Sequence, residues 1–172
     1  MATSVFSRKT DLFYLVFFCI HLVVMFNVDL VSLYPDWLKQ KYMLDLRKWQ
    51  VATYKDQFFV SPPAWFTLYT YLELLYHVPF CLWAIPALKN NDPRVPIQLL
   101  IYALETGITT ITCIADYMSW TVISRAEVNQ LHTLYVPYLA ISVFMGVDMV
   151  ARLNAVVAGA RPPPTVAGKK TR

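Results

Sequence analysis

Four apolar stretches, each long enough to cross a lipid bilayer as a helix, constrain this 172-residue chain more than any other feature. The hydrocarbon of a bilayer is about 30 Å thick, and roughly 20 helical residues span it. Stretches of that length with few charges lie at about residues 12–33, 65–88, 97–118 and 134–157. Since these stretches fill most of the chain, we predict an all-α membrane protein built as a four-transmembrane-helix bundle.

The composition favours one small membrane domain and excludes several other classes. Hydrophobic residues make up 57% of the chain and charged residues 15%, which is more apolar surface than a soluble domain of this size could bury. The net charge of +4 lies mainly in the termini and between the apolar stretches, so we expect membrane lipids and no nucleic acid as partners. The three histidines and three cysteines lack the spacing of a metal site or a disulfide framework. We therefore predict no metal, no cofactor and no catalytic residues.

Residues 35–61 carry five lysines and arginines and cannot form a span. Leu38, Tyr42, Leu46 and Trp49 recur within this segment at near-helical spacing, opposite a charged face. That pattern predicts a helix that lies at the membrane surface and covers one end of the bundle.

The charge distribution predicts the topology. The first apolar stretch is too long for the core of a signal peptide, so we interpret it as a retained helix. Four spans put both termini on one side, which carries eight lysines and arginines outside the spans against six on the other, so the positive-inside rule favours cytosolic termini. Lys169 and Lys170, fourth and third from the end, are typical of a dilysine signal for retrieval to the endoplasmic reticulum. A basic tail that contacts anionic lipid is the alternative.

Carboxylates are unusually frequent in the apolar stretches, whereas Arg152 is the one basic residue inside them. Arg152 follows Asp148 by four residues, which predicts a local ion pair. An ionised carboxylate costs several kcal/mol in hydrocarbon, so the other acids should face the interior of the bundle. We expect no lysine or arginine inside the bundle to neutralise Asp29. The acids within or at the ends of the stretches are Asp29, Glu73, Glu105, Asp116 and Asp148.

Helical spacing places pairs of polar residues on shared helix faces. These pairs are Glu73 and His77, Glu105 and Asp116, and His21 and Asp29. Asp56 precedes a Pro-Pro pair and can fold beside Asp29 at the mouth of the bundle. Such a pocket, walled by Phe and Tyr, suits a bulky apolar molecule with one cationic or hydroxyl head. A polar network that only specifies helix packing, with threonines as partners, is the alternative. The candidate ligand-binding residues are His21, Asp29, Asp56, Glu73, His77, Thr110 and Tyr138.

The chain resembles the EXPERA family of four-helix membrane proteins at Asp29, at residues 56–66 (DQFFVSPPAWF), at residues 72–74 (LEL) and at residues 134–139 (LYVPYL). The resemblance implies a four-helix domain over residues 1–160, with a cytosolic basic tail at 161–172. It also implies a receptor of the endoplasmic reticulum, with the nuclear envelope as an extension, that binds sterols and cationic amphiphilic amines and acts in intracellular cholesterol homeostasis and trafficking. In the family the residue matching Asp29 pairs with the ligand amine, and the residue matching Asp56 supports it. A second copy of the chain and a membrane protein of cholesterol transport are the implied protein partners.

Two departures from the family pattern concern the ligand. His77 stands where we expect Gln, and Glu105 where we expect His, so the preferred ligands should differ. The sterol Δ8-Δ7 isomerases share the fold and have a Glu four residues after the His of the first helix, where this chain has Met25 after His21. We therefore expect a receptor and not an enzyme, with an isomerase that uses Glu73 and Glu105 as the alternative. A transporter or channel is disfavoured because four spans leave little room for a pore.

Overall fold

The computed structural model describes residues 4–160, which contain helices and no strand. Four helical stretches are long and apolar enough to cross a membrane, and they are Lys9–Leu33, Ala64–Lys89, Val95–Tyr117 and Arg125–Ala160. These stretches, here called the first to fourth spans, confirm the predicted all-α, four-helix fold. Lys169 and Lys170 lie outside the described residues.

The fourth span begins at Arg125, well before the predicted start near residue 134. The backbone N–H and hydroxyl of Ser124 both donate to Glu127 Oε2, at 2.7 and 2.8 Å, and the Glu127 N–H donates to Ser124 Oγ at 3.3 Å. This reciprocal cap satisfies the free N–H groups of the first turn. The helix therefore extends through a polar stretch that the apolar pattern does not include.

The first span changes helix type as it approaches its end. It consists of an α-helix, α1 (Lys9–Val24), a π-helical turn (Met25–Asp29) and a 3₁₀ turn (Leu30–Leu33). The N–H of Leu30 donates to the carbonyl of Met25, five residues earlier. Asp29 is the last residue of the π-turn, and such turns occur frequently at functional sites.

The second span is also interrupted by a π-helical turn. Here α3 (Ala64–Leu72) leads into the π-turn Glu73–His77, and α4 (Val78–Lys89) follows. Pro79 has no N–H to donate to the carbonyl four residues earlier, so the regular α pattern cannot pass through this point unchanged. Glu73 and His77 are consequently the two ends of one widened turn.

The remaining helices complete the bundle. The third span is α5 (Val95–Tyr117) and the fourth is α6 (Arg125–Ala160), which contains Pro137. The third and fourth spans pack against each other, and α1 packs against α4. A Cβ added to Gly107 would lie 3.3 Å from Ser142 Oγ, so the third and fourth spans approach closely there. Two short 3₁₀ helices, Val5–Ser7 and Gln57–Phe59, precede the first and second spans.

A separate helix, α2 (Lys41–Tyr54), lies between the first and second spans and covers the bundle at the end opposite the described termini. It buries no residue completely, and Tyr42 and Trp49 are each 56% exposed. A helix is present where the spacing predicted one, although it begins at Lys41, so Leu38 lies in the turn before it.

Two buried clusters fill the ends of the bundle. Along α5, Leu99 and Tyr102 belong to the cluster near the described termini, whereas Cys113 and Tyr117 belong to the cluster beneath α2. Glu105 and the threonines that follow it lie between these layers. The mid-depth of the bundle is therefore where the packing leaves space.

An ionic cluster joins the first and fourth spans at the end of the bundle where the first span begins and the fourth span ends. The predicted pair of Asp148 and Arg152 is confirmed at 2.8 Å, and Arg152 also pairs with buried Asp11 of α1 at 2.7 Å. Tyr14 donates to Asp148 at 3.0 Å, and Arg8 contacts both Asp11 and the last turn of α4. The cluster fixes three helices together and lies away from the central space.

Candidate functional site

A cavity of about 320 Å³ occupies the middle of the bundle beneath α2. It is within the usual size range for small-molecule sites, although at the lower end. Six of the seven predicted ligand-binding residues line it, and Asp56 does not. The six lining residues are His21, Asp29, Glu73, His77, Thr110 and Tyr138.

Three carboxylates from three different spans line the cavity. Asp29 closes the π-turn of the first span, Glu73 opens the π-turn of the second, and Glu105 comes from α5. Glu73 is close enough to both Asp29 and Glu105 for their charges to act on it. Each of the three is partly buried and reaches the cavity. Carboxylates that share one buried cavity cannot all be ionised, so the three give the cavity an acidic wall that combines negative charge with acid hydroxyl donors.

Asp56 supports the cavity from behind. Its side chain is fully buried and accepts hydrogen bonds from Tyr135 Oη at 2.8 Å and from the Phe58 N–H at 3.0 Å. Burial raises the pKa of Asp56 to about 6, and these two hydrogen bonds act in the opposite direction. Tyr135 itself lines the cavity, so Asp56 holds part of the wall.

We expected no lysine or arginine inside the bundle to neutralise Asp29, and the basic residue that acts on Asp29 comes from outside the bundle. Arg47 of α2 is close enough for its charge to act on Asp29, although the two form no ion pair within 4 Å. Its guanidinium donates to the Phe59 carbonyl at 3.2 Å and lies 5.1 Å from the centre of the Phe59 ring. Burial lowers the pKa of Arg47, and the charge of Asp29 opposes that effect. The sequence correctly placed Arg47 outside the bundle, but α2 folds back over the mouth.

The deep end of the cavity carries the histidines. His77 Nε2 contacts Glu105 Oε2 at 2.5 Å, and His21 Nδ1 contacts Tyr138 Oη at 3.3 Å. The two imidazole rings lie 5.7 Å apart between centroids. Glu105 was noted among the buried acids but left out of the predicted site. The presence of a carboxylate inside an apolar stretch was the signal for it.

Asp116 does not accompany Glu105 into the cavity. It accepts a hydrogen bond from Trp120 Nε1 at 3.0 Å at the end of α5. Eleven residues of helix rise about 16 Å, so a shared face does not bring both acids to one depth.

The helix α2 contributes four residues to the cavity wall, and none of them was among the predicted ligand-binding residues. Leu46, Trp49, Gln50 and Tyr54 of α2 all line the space. Leu46 and Trp49 belonged to the apolar stripe of the predicted surface helix, and that stripe was the available signal. Within residues 4–160, no three metal-ligating side chains converge on one point. The arrangement can therefore enclose an apolar molecule and present carboxylates to its polar head.

The fold and the cavity define a multi-pass membrane protein with an acid-lined interior site that a surface helix covers. A profile of the EXPERA family (EXPanded EBP superfamily) matches residues 42–149, and the chain belongs to that family.

Curated relatives agree with this assignment. The protein named Efficient mitochondria targeting-associated protein 19 of Schizosaccharomyces pombe is 31% identical over 150 residues, which cover 83% of this chain and 76% of the relative. Sigma intracellular receptor 2 of Xenopus tropicalis is 26% identical over 156 residues, covering 85% of this chain and 91% of the relative. Its human counterpart is 28% identical over 103 residues, covering 59% of this chain and 58% of the relative. The resemblance to this family that the sequence motifs carried is confirmed.

Proposed function

We propose that this protein is a receptor of the endoplasmic reticulum membrane that binds sterols and cationic amphiphilic amines in its interior cavity and acts in intracellular cholesterol homeostasis. The observation that carries the proposal is the placement of Asp29 and Glu73 on the wall of one cavity that is otherwise largely apolar. An apolar body fits between the helices, and its polar head meets a carboxylate. Relatives that are named as sigma receptors support a binding role.

Asp29 is the residue that best suits a ligand ammonium group. It lies near the mouth beneath α2, and Arg47 is the basic side chain that acts on it from outside the bundle. A charge-assisted hydrogen bond in a site of low dielectric is among the stronger polar contacts. A ligand ammonium group would give Asp29 a partner within hydrogen-bond distance.

The Asp29→Asn variant tests this assignment, because it keeps the shape of the side chain and removes its charge. A hydrogen bond to a charged group contributes about 1.5 to 3 kcal/mol, so affinity for cationic amphiphiles should fall about tenfold or more. Neutral sterols should lose much less. Asp45→Asn, on the exposed face of α2, makes the same change of charge and should have no effect.

Calorimetric titration of both variants with an alkylamine and a sterol separates the outcomes. Unchanged amine binding by a folded Asp29→Asn protein would place the cation elsewhere in the cavity and would contradict the assignment.

The proposed location has cytosolic termini, and Lys169 and Lys170 act as the retrieval signal. Replacing both lysines with Ser should let the protein leave the endoplasmic reticulum. Microscopy of the tagged variant checks this expectation. An unchanged distribution would mean that the basic tail only contacts lipid.

A sterol Δ8-Δ7 isomerase is the second candidate, and the 2.5 Å contact between His77 and Glu105 favours it. An imidazole and carboxylates that line one cavity could move a proton onto and off a sterol double bond. Purified protein incubated with a Δ8-sterol should yield no Δ7 product if the receptor proposal holds. Turnover that falls in the Glu73→Gln variant would establish the isomerase instead.

The proposal extends to partners. A membrane protein of cholesterol transport and a second copy of this chain are the protein partners that it includes. The name of the Schizosaccharomyces pombe relative concerns mitochondrial targeting, and a role in targeting is the other direction that the relatives suggest. Lipid mass spectrometry of the protein purified in mild detergent distinguishes the two directions. A co-purifying sterol supports the receptor, and its absence at stoichiometric amounts counts against it.

A further inference from the structure

A hydrogen bond joins the π-turn that carries Asp29 to the covering helix through the side chain of Asn27. Asn27 lies within that turn, two residues before Asp29. Its Nδ2 donates to the carbonyl of Val23 at 2.7 Å, and its Oδ1 accepts a hydrogen bond from Tyr42 Oη of α2 at 2.8 Å. The two contacts use opposite ends of the same amide, so together they fix its orientation.

The bond to Val23 holds the local backbone. In the π-turn the bond from Leu30 N–H reaches back five residues to Met25, so the usual α-helical spacing is lost. The Asn27 side chain supplies a donor to a carbonyl four residues before it, where an α-helix has its regular partner. The Asn27 side chain therefore bonds across the backbone turn that carries Asp29, and such local bonds favour departures from the regular α-helix.

The bond to Tyr42 holds the covering helix. Tyr42 is in the first turn of α2, and Leu46 and Trp49, further along the same helix, line the cavity. Arg47 of α2 donates to the Phe59 carbonyl, so the helix is also attached to the segment that follows Asp56. The covering helix therefore bridges the two chain segments that bear the acids of the mouth.

We propose that Asn27 is a positioning residue, which sets the direction of the Asp29 carboxyl and, through its hydrogen bond to Tyr42, keeps α2 closed over a bound ligand. The inference rests on the proposed ligand-binding function of the cavity. It assigns two separable effects to one side chain. The direction of the Asp29 carboxyl should affect the binding of cationic ligands only, whereas closure of α2 should affect the binding of any ligand.

The Tyr42→Phe variant isolates the closing effect, because it removes a single hydroxyl and leaves Asn27 in place. Tyr42 is 56% exposed, so the substitution should disturb little of the packing. The probes are dehydroergosterol as a neutral sterol and a dansyl-labelled alkylamine with a free ammonium group. Stopped-flow fluorescence measures their dissociation from the full-length protein in detergent. Loss of one hydrogen bond at a partly hydrated position should raise both dissociation rates by about three- to tenfold.

Tyr34→Phe is the matched control. Tyr34 Oη donates to the Phe26 carbonyl of the same π-turn at 2.9 Å, but Tyr34 precedes α2 and is not part of it. Both dissociation rates should stay within about twofold of the original protein. An equal rise in the Tyr34 and Tyr42 variants would show general loosening of the turn and would overturn the closing role.

The Asn27→Leu variant loses both bonds. It should show the faster dissociation of Tyr42→Phe and, in addition, a loss of amine affinity several-fold greater than the loss of sterol affinity. Adding Tyr42→Phe to Asn27→Leu should change the dissociation rates no further, since the bond is already absent. Additive rates would contradict the coupling.

The outcomes separate this inference from the function on which it rests. Unchanged dissociation from Tyr42→Phe refutes the closing role even if Asn27→Leu fails to fold. In that case Asp29→Asn still weakens amine binding if the receptor proposal is correct. Amine binding that is insensitive to Asp29→Asn refutes the receptor assignment itself.

Discussion

The hydrogen bond from Tyr135 to Asp56 should make the stability of the protein depend on pH in a specific way. Asp56 is fully buried, and burial raises its pKa from 3.8 to about 6. The pKa of Asp56 is higher in the folded protein than in the unfolded chain, so protonation of Asp56 favours the folded state. This contribution to the free energy of unfolding is fully present below about pH 4. It is lost as the pH rises through about 6. The difference between the two pKa values corresponds to about 3 kcal/mol.

Replacing Tyr135 with Phe removes the donor to Asp56 Oδ2 and leaves the ring in place. A hydrogen bond between neutral groups contributes about 1 kcal/mol, and one to a charged group contributes about 1.5 to 3 kcal/mol. The Tyr135→Phe variant should therefore lose about 1 kcal/mol at pH 4.5, where Asp56 is mostly protonated. At pH 8 it should lose about 0.5 to 2 kcal/mol more than that, since the substitution raises the pKa of Asp56 further.

Thermal unfolding in detergent between pH 4.5 and 8.5 measures this difference. The control is the same substitution in an Asp56→Asn background, where the cost should be independent of pH. A cost of Tyr135→Phe that is equal at both ends of the range, or larger in acid, would refute the reasoning. Either result would mean that Asp56 does not ionise against the Tyr135 hydroxyl.

Two further predictions concern charges around the bundle. Arg152→Met removes the partner of two carboxylates at the end of the bundle that holds residues 8 and 152, and it should lower stability by about 2 kcal/mol. Arg94→Met, at an exposed arginine, should cost less, and unfolding midpoints compare the two variants. Arg47→Gln should raise the affinity for cationic amphiphiles several-fold, because it removes a positive charge that repels the ligand ammonium group near Asp29. Lys48→Gln, on the exposed face of α2, should leave the affinity unchanged. Equal effects of Arg47→Gln and Lys48→Gln in calorimetric titrations would exclude a local role for Arg47.

The bundle was predictable because the bilayer imposes a simple rule on length and polarity. Each of the four apolar stretches became a span, with ends that differ most where a polar cap such as Ser124 and Glu127 extends the helix. The cost of a charge in hydrocarbon likewise identified the acids that line the cavity. Asp29 and Glu73 could be selected on that ground alone, before any contact was known.

The depth of each side chain and the fold of the connecting segment could not be read from periodicity. Helical spacing assigned Glu105 and Asp116 to one face, and it was silent on which of them lies level with the cavity. Arg47 was counted as one more charge on a surface helix, yet the return of α2 over the mouth brings it towards Asp29.

Two π-helical turns carry Asp29, Glu73 and His77, three of the polar residues that line the cavity. Each widened turn rotates the residues that follow it relative to those before it, and it does so at the level of the cavity in two neighbouring spans. In the second span Pro79 marks the position in the sequence, but in the first span no proline or glycine does. The turn that carries Asp29 is instead held by side chains, among them Asn27. The geometry around Asp29 thus depends on a contact with α2, and we expect substitution of Tyr42, which makes that contact, to alter ligand binding although Tyr42 does not line the cavity.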